Sequence, residues 1–277
     1  MMKLANILEG PVGRRGVLAA RRLARDAADG LVEMAWPTRC AICDMPGALL
    51  CDECANALPW IAQADSCPLC GAPYGRVACT GCWDRNGRIV RGFSHATCAL
   101  EYTDDTARLV KCFKDQGELR LAELLASFIA RALAEDGQLP HASFARDIQV
   151  APHNGLRAAA LPDAIVHIPA SPAALARRRY DHMQLVAEAL SELTGIEALE
   201  ALRTRDTSDQ RALGKAERMR NMQDAFDIAL RSDMLEDRRI LVVDDVFTTG
   251  STLDGAACTL LEAGTADVRV ATVCRVW

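Results

Sequence analysis

The fold is decided by one stretch, ILVVDDVFTTGST, which occupies residues 240–252. It begins with an uninterrupted apolar run, continues with two acids, Asp244 and Asp245, and ends in a loop of hydroxyl side chains around one glycine. A short continuous apolar run bounded by polar residues is typical of a strand buried in a parallel sheet. The stretch therefore predicts a strand that presents two carboxylates at its carboxyl end, where open α/β sheets bind ligands.

The loop after this strand predicts an anion site. A helical pattern follows it, and a helix N-terminus offers free N–H groups and the positive end of the helix dipole. A phosphate on the loop and ring hydroxyls on the two acids would suit a phosphorylated sugar, with the acids also able to hold Mg²⁺. The loop lacks the lysine of a P-loop and the glycine pattern of a dinucleotide site. The alternative is a structural turn with a Ser/Thr helix cap.

The rest of the C-terminal part alternates between helical and strand patterns. Helical spacing runs through residues 121–133 and 185–193, the second ending near Gly195. Short apolar runs at 163–169 and 268–273 predict strands. We therefore expect an α/β fold with a mainly parallel sheet flanked by helices.

Eight of the twelve cysteines form a regular series of C-x-x-C pairs. The pairs are Cys40 with Cys43, Cys51 with Cys54, Cys67 with Cys70, and Cys79 with Cys82. Two such pairs supply the four thiolates of a closed tetrahedral metal site, and the repeat favours structural zinc over an iron–sulfur cluster. The spacing predicts two zinc ions in two consecutive sites, the first pair with the second and the third with the fourth. A cross-braced arrangement, with the first pair joining the third, is the alternative.

These patterns divide the 277 residues into three parts. We expect an N-terminal helical segment over residues 1–36, a double zinc ribbon over 37–92 and the sheet domain over 93–277. The ribbon part has few large apolar side chains, so its folding would depend on metal, which contributes about 10–16 kcal/mol in small zinc domains.

The composition of the chain excludes several classes of protein. Half of the residues are apolar, a quarter are charged and the net charge is −5, which excludes a disordered chain and a generally basic nucleic-acid coat. No run approaches the roughly 18 apolar residues of a membrane span, and arginines interrupt the N-terminus where a signal peptide would be apolar. We expect a cytoplasmic protein. Positive charge collects locally, at residues 177–179 and 203–220.

The stretch from Ile240 resembles the signature of type I phosphoribosyltransferases, which bind 5-phosphoribosyl-1-pyrophosphate (PRPP). A Cys-rich module before such a domain resembles the ComF family, also called GntX-like or amidophosphoribosyltransferase-like. The resemblance implies that Asp244 and Asp245 are catalytic and that PRPP binds with Mg²⁺. The implied PRPP ligands are Asp244, Asp245, Val246, Thr248, Thr249, Gly250, Ser251, Thr252, Pro169, Ala170, Ser171 and Arg178.

Three further stretches resemble family segments. Residues 168–172, Ile-Pro-Ala-Ser-Pro, resemble the strand end at the family's pyrophosphate loop. Lys111 to Lys114 resembles the lysine-bearing segment after the ribbons. Residues 205–226 resemble the family's flexible segment, with the matches Arg205, Thr207, Gln210, Leu213, Arg218, Asn221 and Phe226.

One segment departs from the family pattern. The family usually has Arg-Gly-Phe-Asn-Gln, whereas residues 178–182 of this chain are Arg-Arg-Tyr-Asp-His. Asp181 puts a carboxylate where an amide is usual, which predicts weaker pyrophosphate binding. A protonated His182 would partly compensate, and an ordinary helix-start histidine is the alternative. His167, within the predicted strand, is expected to be a core residue.

Three functions follow from the resemblance. The first is Mg²⁺-dependent phosphoribosyl transfer from PRPP to an unknown acceptor, and the second is PRPP binding without turnover. The third is an accessory role in DNA uptake and natural transformation, with single-stranded DNA and the uptake machinery as partners. For DNA contact we expect residues 37–92 to act together with residues 177–179. The stacking and charged side chains would be Trp60, Trp83, Tyr74, Arg76, Arg85, Arg88 and Arg91.

Overall fold

The computed structural model describes residues 37–139 except 74, 76, 84, 85 and 90, together with 161–205 and 225–277. The chain divides into two compact units, Met1–Asn56 and Ala57–Trp277. The expected N-terminal helical segment lies outside the described residues, as does most of the segment 205–226. The domain boundaries expected at residues 36 and 92 stay a prediction.

The first unit contains a tight turn and a short helix, α1, Asp52–Asn56. The turn is closed by hydrogen bonds from the Cys40 amide to the Met45 carbonyl and from the Asp44 amide to the Cys40 carbonyl, at 2.8 and 2.9 Å. Asp44 has a φ of 64°, the left-handed conformation that Asp tolerates better than most residues. The turn brings the first two cysteine pairs together.

The second unit is built on a five-stranded sheet in which every neighbouring pair of strands is parallel. Its order is β1-β7-β6-β2-β3, and strands β4 and β5 form a separate antiparallel pair. The strands are β1 His95–Glu101, β2 Ala164–His167, β3 Glu197–Leu199, β4 Leu202–Thr204, β5 Phe226–Ile228, β6 Arg239–Phe247 and β7 Asp267–Arg275. The parallel sheet confirms the fold class expected from the sequence.

Five helices lie among the strands in the part of the chain that the structure describes. They are α2 Asp104–Lys114, α3 Leu121–Glu135, α4 Pro172–Arg178, α5 His182–Thr194 and α6 Ser251–Glu262. Helix α5 begins at the Asp181 cap and ends at Gly195, whose φ of 74° is favourable for glycine at this position. Helices α3 and α5 pack on each other and on strands β1, β2 and β7, whereas α6 packs on β5, β6 and β7. The central strands are consequently buried along almost their whole length, as their apolar sequence predicts.

The segment before β1 covers the outer edge of that strand. The Ile61 amide donates to the Ala99 carbonyl at 3.0 Å, and the Glu101 amide donates to the Pro59 carbonyl at 2.9 Å. Further along, the Ala96 amide donates to the Pro68 carbonyl at 2.8 Å. These bonds satisfy backbone groups that an edge strand would otherwise leave unpaired. The last two cysteine pairs therefore share a core with the sheet.

Among the helices that the structure describes, none combines the length and apolar character needed to cross a membrane.

Candidate functional site

A cavity of about 650 Å³ opens at the carboxyl ends of strands β2 and β6. Its volume falls in the range of small-molecule sites, and its place at the strand ends is where α/β sheets bind ligands. Nine of the twelve residues implied by the resemblance line it: Asp244, Asp245, Val246, Thr248, Thr252, Pro169, Ala170, Ser171 and Arg178. The structure thus brings together residues that are about 75 positions apart in the sequence.

The other three implied residues, Thr249, Gly250 and Ser251, do not line this cavity and lie in the turn between Thr248 and Thr252. The Thr249 and Ser251 hydroxyls are hydrogen-bonded at 2.9 Å. Gly250 has a φ of 82°, and a Cβ atom there would lie 2.7 Å from both the Arg91 guanidinium and the Phe247 ring. Only glycine fits this turn, which explains why the loop carries a glycine before the helix.

Asp245 is buried and has two cationic or hydrogen-bonding neighbours in the cavity. Lys114 forms an ion pair with its carboxylate, and the His182 Nε2 atom lies 3.1 Å from the same oxygen. Burial alone would raise the pKa of Asp245, but the His182 hydrogen bond and the Lys114 charge outweigh it and hold the pKa below the ordinary range. Asp245 is therefore an ionised carboxylate.

The pKa of Asp244 is shifted in the opposite direction from that of Asp245. Its Oδ1 atom accepts a hydrogen bond from the Asp245 amide at 2.8 Å. Burial and the neighbouring Asp245 charge raise the pKa of Asp244 well above its ordinary value. Two adjacent carboxyl groups with pKa values pushed apart give the cavity one ionised acceptor and one group that takes up a proton readily.

Asp181 caps helix α5 and also reaches the loop after β2. Its Oδ1 atom accepts hydrogen bonds from the Met183 and Gln184 amides, and its Oδ2 atom accepts one from the Ala170 amide at 2.6 Å. His167 is buried, as expected from the sequence, and lies 3.7 Å from the same carboxylate. Burial lowers the pKa of His167, which favours its neutral form.

The other residues of the segment 178–182, one matching the family pattern and two departing from it, have clear structural roles. Arg178 donates to the Asp115 carboxylate at 3.0 Å from a side chain that is only 9% exposed. Arg179 ends helix α4 with a φ of 67°, at the position where the family has glycine. The Tyr180 hydroxyl donates to the Phe113 and Lys114 carbonyls at 3.0 and 3.1 Å, and so positions the backbone of Lys114.

The ligand set implied by the sequence omitted Lys114 and His182, both of which contact Asp245. The resemblance of residues 111–114 to a family segment was the available signal for Lys114. Tyr102 and Val276 also line the cavity, and no motif pointed to them.

The eight paired cysteines form two groups in sequential order. The first cysteine group is Cys40, Cys43, Cys51 and Cys54, and the second cysteine group is Cys67, Cys70, Cys79 and Cys82. Sulfur–sulfur distances of 3.7 Å in the first group and 3.5, 3.8 and 4.0 Å in the second match the separation of about 3.8 Å in a tetrahedral zinc site. Both groups are able to hold a metal ion, and four thiolates around one ion leave no open position for catalysis.

Within each cysteine group, an ionised thiol opposes the ionisation of its neighbours. Burial alone would raise the pKa of Cys40, but backbone hydrogen bonds from Cys43 and Cys51 outweigh this effect and lower the pKa to about 6. In the same group, burial and the neighbouring thiols raise the pKa of Cys54. Thiols whose pKa is raised in this way lose their protons when a divalent cation binds, because metal ligation requires the thiolate form.

The aromatic residues proposed for DNA contact differ in their surroundings. The Arg131 guanidinium lies 3.9 Å from the centre of the Trp60 ring, which also forms a T-shaped contact with the Phe128 ring. Trp83 is 43% exposed. Arg91 is mostly buried against Asp254, while Tyr74, Arg76 and Arg85 lie outside the described residues.

This parallel sheet, with two acids and a hydroxyl loop at its carboxyl edge, defines a phosphoribosyltransferase-type domain. Residues 185–276 match the model of the phosphoribosyl transferase domain family. The chain belongs to the ComF family, since it is 31% identical to the DNA utilization protein YhgH of Salmonella typhi over 86% of this chain and 97% of that protein.

Other relatives support the same assignment. The competence protein ComFC of Streptococcus pneumoniae is 25% identical over 82% of this chain and 87% of its own length. Competence protein F of Haemophilus influenzae is 34% identical over 40% of this chain and 49% of its own. A solved structure, that of the allosteric regulatory enzyme of purine biosynthesis, is similar over 54% of this chain and 25% of its own, with 17% identity and a TM-score of 0.33. That likeness is too distant to support a functional argument.

Proposed function

We propose that the cavity binds PRPP, or another phosphorylated ribose, together with Mg²⁺. The observation that carries this proposal is the combination within one cavity of the acids Asp244 and Asp245 with Thr248 and Thr252, the two ends of the hydroxyl loop. Phosphate groups favour the N–H groups of such a loop, and sugar hydroxyls favour carboxylates. Lys114 and Arg178 add positive charge on the same cavity wall.

The proposed orientation follows from the charges. The 5′-phosphate lies on the hydroxyl loop, and the ribose hydroxyls donate to Asp245. The pyrophosphate group faces residues 169–171 and Arg178. Because Lys114 is paired with Asp245 in the free protein, a ligand that replaces this pair leaves the lysine available to a phosphate oxygen.

We propose phosphoribosyl transfer as the reaction of this site. A nitrogen of the acceptor forms a bond to the anomeric carbon, the bond from that carbon to the pyrophosphate oxygen breaks, and pyrophosphate leaves with the electron pair. Lys114 and Arg178 stabilise the negative charge that develops on pyrophosphate, and Asp245 stabilises the positive charge on the sugar. Mg²⁺ would neutralise part of the pyrophosphate charge. PRPP binding without turnover, as in a regulator, is the alternative.

Calorimetric titration with PRPP, with and without Mg²⁺, tests the binding proposal. Ribose 5-phosphate in parallel measures how much the pyrophosphate group contributes. Release of pyrophosphate in the presence of candidate acceptors separates an enzyme from a regulator. A protein that binds neither ligand would contradict the proposal.

We also propose that each cysteine group holds a structural zinc ion. The support is the match between the sulfur–sulfur distances and a tetrahedral site, together with the all-thiolate donor set, which zinc prefers.

We propose further that the protein acts in the cytoplasm in the use or uptake of DNA. The support is its similarity to proteins named for DNA utilization and competence. Single-stranded DNA is the proposed partner, bound through residues 37–92 with help from residues 177–179. Trp83 is the described aromatic side chain in this region with the most exposed ring, and exposed rings stack on bases. Binding that weakens steeply with added salt would support this role.

A further inference from the structure

Two arginines hold the backbone of the hydroxyl loop from behind. The Arg275 Nη1 atom donates hydrogen bonds to the Phe247 and Thr248 carbonyls at 3.2 and 2.9 Å. The Arg91 Nη1 atom donates to the next carbonyl, that of Thr249, at 2.8 Å. Three consecutive carbonyl groups are therefore fixed by charged donors.

Fixing these carbonyls also sets the direction of the amides that would bind phosphate. In a trans peptide, the carbonyl of one residue and the N–H of the next point in opposite directions. Carbonyls of Phe247, Thr248 and Thr249 held toward the arginines consequently turn the N–H groups of Thr248, Thr249 and Gly250 away from them. The tight contact between Gly250 and the Arg91 guanidinium leaves the loop little freedom to rotate.

Both arginines interact with the second cysteine group, Arg275 through a hydrogen bond and Arg91 electrostatically. The Arg275 Nε atom donates to the Cys70 carbonyl, and the guanidinium also interacts with the Cys70 thiol. Arg91 forms an ion pair with Asp254 at 2.8 Å and also interacts electrostatically with the Cys82 thiol. Both arginine side chains lie against the Phe247 ring, at 4.5 Å for Arg275 and 5.4 Å for Arg91.

We infer that the second cysteine group, through Arg275 and Arg91, positions the hydroxyl loop for phosphate binding, so that metal occupancy and ligand affinity are linked. The geometry of Cys70 and Cys82 depends on the ion that the group holds. Arg275 donates directly to Cys70, and Arg91 interacts electrostatically with Cys82. Loss of the ion removes the fixed support behind three loop peptides. By thermodynamic reciprocity, a bound phosphate ligand raises the affinity of the group for that ion. The ligand part of this inference rests on the proposed function, whereas the loop-positioning part does not.

The test uses the full-length, zinc-loaded protein and two conservative variants, Arg275→Lys and Arg91→Lys. Lysine keeps the charge but lacks the planar fork that reaches several acceptors at once. The matched control is Arg239→Lys, at the opposite end of β6, where the arginine pairs with Asp163 near the surface. The loop is monitored without ligand, through the ¹⁵N order parameters of the Thr248, Thr249 and Gly250 amides.

We expect both variants to keep two zinc ions while the loop order parameters fall from about 0.85 to below about 0.6. PRPP affinity falls about tenfold in each, because a hydrogen-bonded charge that orders the loop is lost. The control leaves both quantities unchanged. If one variant does not fold, the other decides the outcome.

A second measurement follows the equilibrium transfer of zinc to a competing chelator with and without PRPP. We expect PRPP to reduce the transfer of one of the two ions in the wild type, and this protection to disappear in Arg275→Lys. Unchanged loop order in the folded variants would overturn the inference, as would equal transfer of both ions with PRPP bound. If the wild type does not bind PRPP but the variants still loosen the loop, the proposed function falls and the positioning role stands.

Discussion

Asp181 accepts a hydrogen bond from the backbone amide of Ala170 at 2.6 Å, so a carboxylate of the α5 cap occupies a donor of the loop after β2. The resemblance assigns this loop to pyrophosphate. The amide that a pyrophosphate oxygen would use is therefore already paired, and with a negatively charged group. This single contact explains in structural terms why the departure at residue 181 is expected to weaken pyrophosphate binding.

Replacing Asp181 by asparagine tests this explanation. The asparagine oxygen keeps the cap on the Met183 and Gln184 amides, while its NH₂ group cannot accept from Ala170. The Ala170 amide becomes free and one negative charge is removed. We expect PRPP affinity, measured by calorimetry, to rise about fivefold, with little change for ribose 5-phosphate. Asp163→Asn, at the other end of the sheet, is the control, and an unchanged or weaker PRPP affinity in Asp181→Asn would refute the explanation.

Elemental analysis tests the two cysteine groups. We expect two zinc ions per chain in protein purified without chelator, because each set of four sulfurs has the spacing of a tetrahedral site. Cys43→Ser and Cys79→Ser should each reduce the content to one ion. A wild-type content of one or none would contradict the assignment.

The acids of the cavity predict an unusual dependence of stability on pH. A group whose pKa is raised by folding stabilises the protein below its ordinary pKa, and this contribution is lost as the pH rises through the folded value. Asp244, with its raised pKa, therefore costs stability at neutral pH. We expect Asp244→Asn to be about 1 kcal/mol more stable than the wild type at pH 7, and the difference to vanish below about pH 4.

Asp163 provides the matched contrast. Its hydrogen bonds with Arg239 lower its pKa to about 2, so it contributes stability above its ordinary pKa of 3.8 and loses it toward pH 2. Asp163→Asn should therefore be less stable than the wild type at pH 7, the opposite sign to Asp244→Asn. Urea unfolding at pH 7 and pH 3.5 measures both differences. A gain for Asp244→Asn that persists at pH 3.5 would count against the assigned ionisation.

DNA binding is tested by comparing two tryptophans. Trp83→Ala should weaken binding of a single-stranded oligonucleotide about tenfold, since stacking on one exposed ring contributes ~1–3 kcal/mol. Trp60→Ala should mainly lower stability, because that ring packs on Phe128 and under Arg131. Point variants are preferable to removal of residues 57–92, which would expose the β1 edge. Equal DNA affinity in the wild type and Trp83→Ala would exclude Trp83 as a contact.

Much of the fold could be predicted from local pattern. The apolar runs at β2, β6 and β7 and the helical spacing of α3 and α5 are strong signals, because buried parallel strands and long amphipathic helices leave regular patterns. Strand β1 was not predicted, since His95–Glu101 has no distinct run, and its burial depends on the segment from Leu58 to Pro68 that pairs along its edge. Such pairing is a tertiary contact with no local signature.

The site was predictable to the extent that it lies in contiguous motifs. The acids and the hydroxyl loop follow one strand, so the sequence alone brings them together. The contacts of Asp245 with Lys114 and His182 join three distant segments and required the fold. Arg275 could have been singled out from the sequence, because a charged side chain at the end of the buried run of β7 needs hydrogen-bond partners. In the structure these partners are the carbonyls of Cys70, Phe247 and Thr248.

The central claim is that Asp244 and Asp245, together with the loop at residues 248–252, bind a phosphorylated ribose. The most direct measurement is a calorimetric titration of PRPP with Mg²⁺ into the wild type and into the double variant Asp244→Asn/Asp245→Asn. We expect measurable binding by the wild type and a loss of about 2–4 kcal/mol in the double variant, because several charge-assisted hydrogen bonds disappear. Unchanged affinity in a folded double variant, or no binding by the wild type, would contradict the claim.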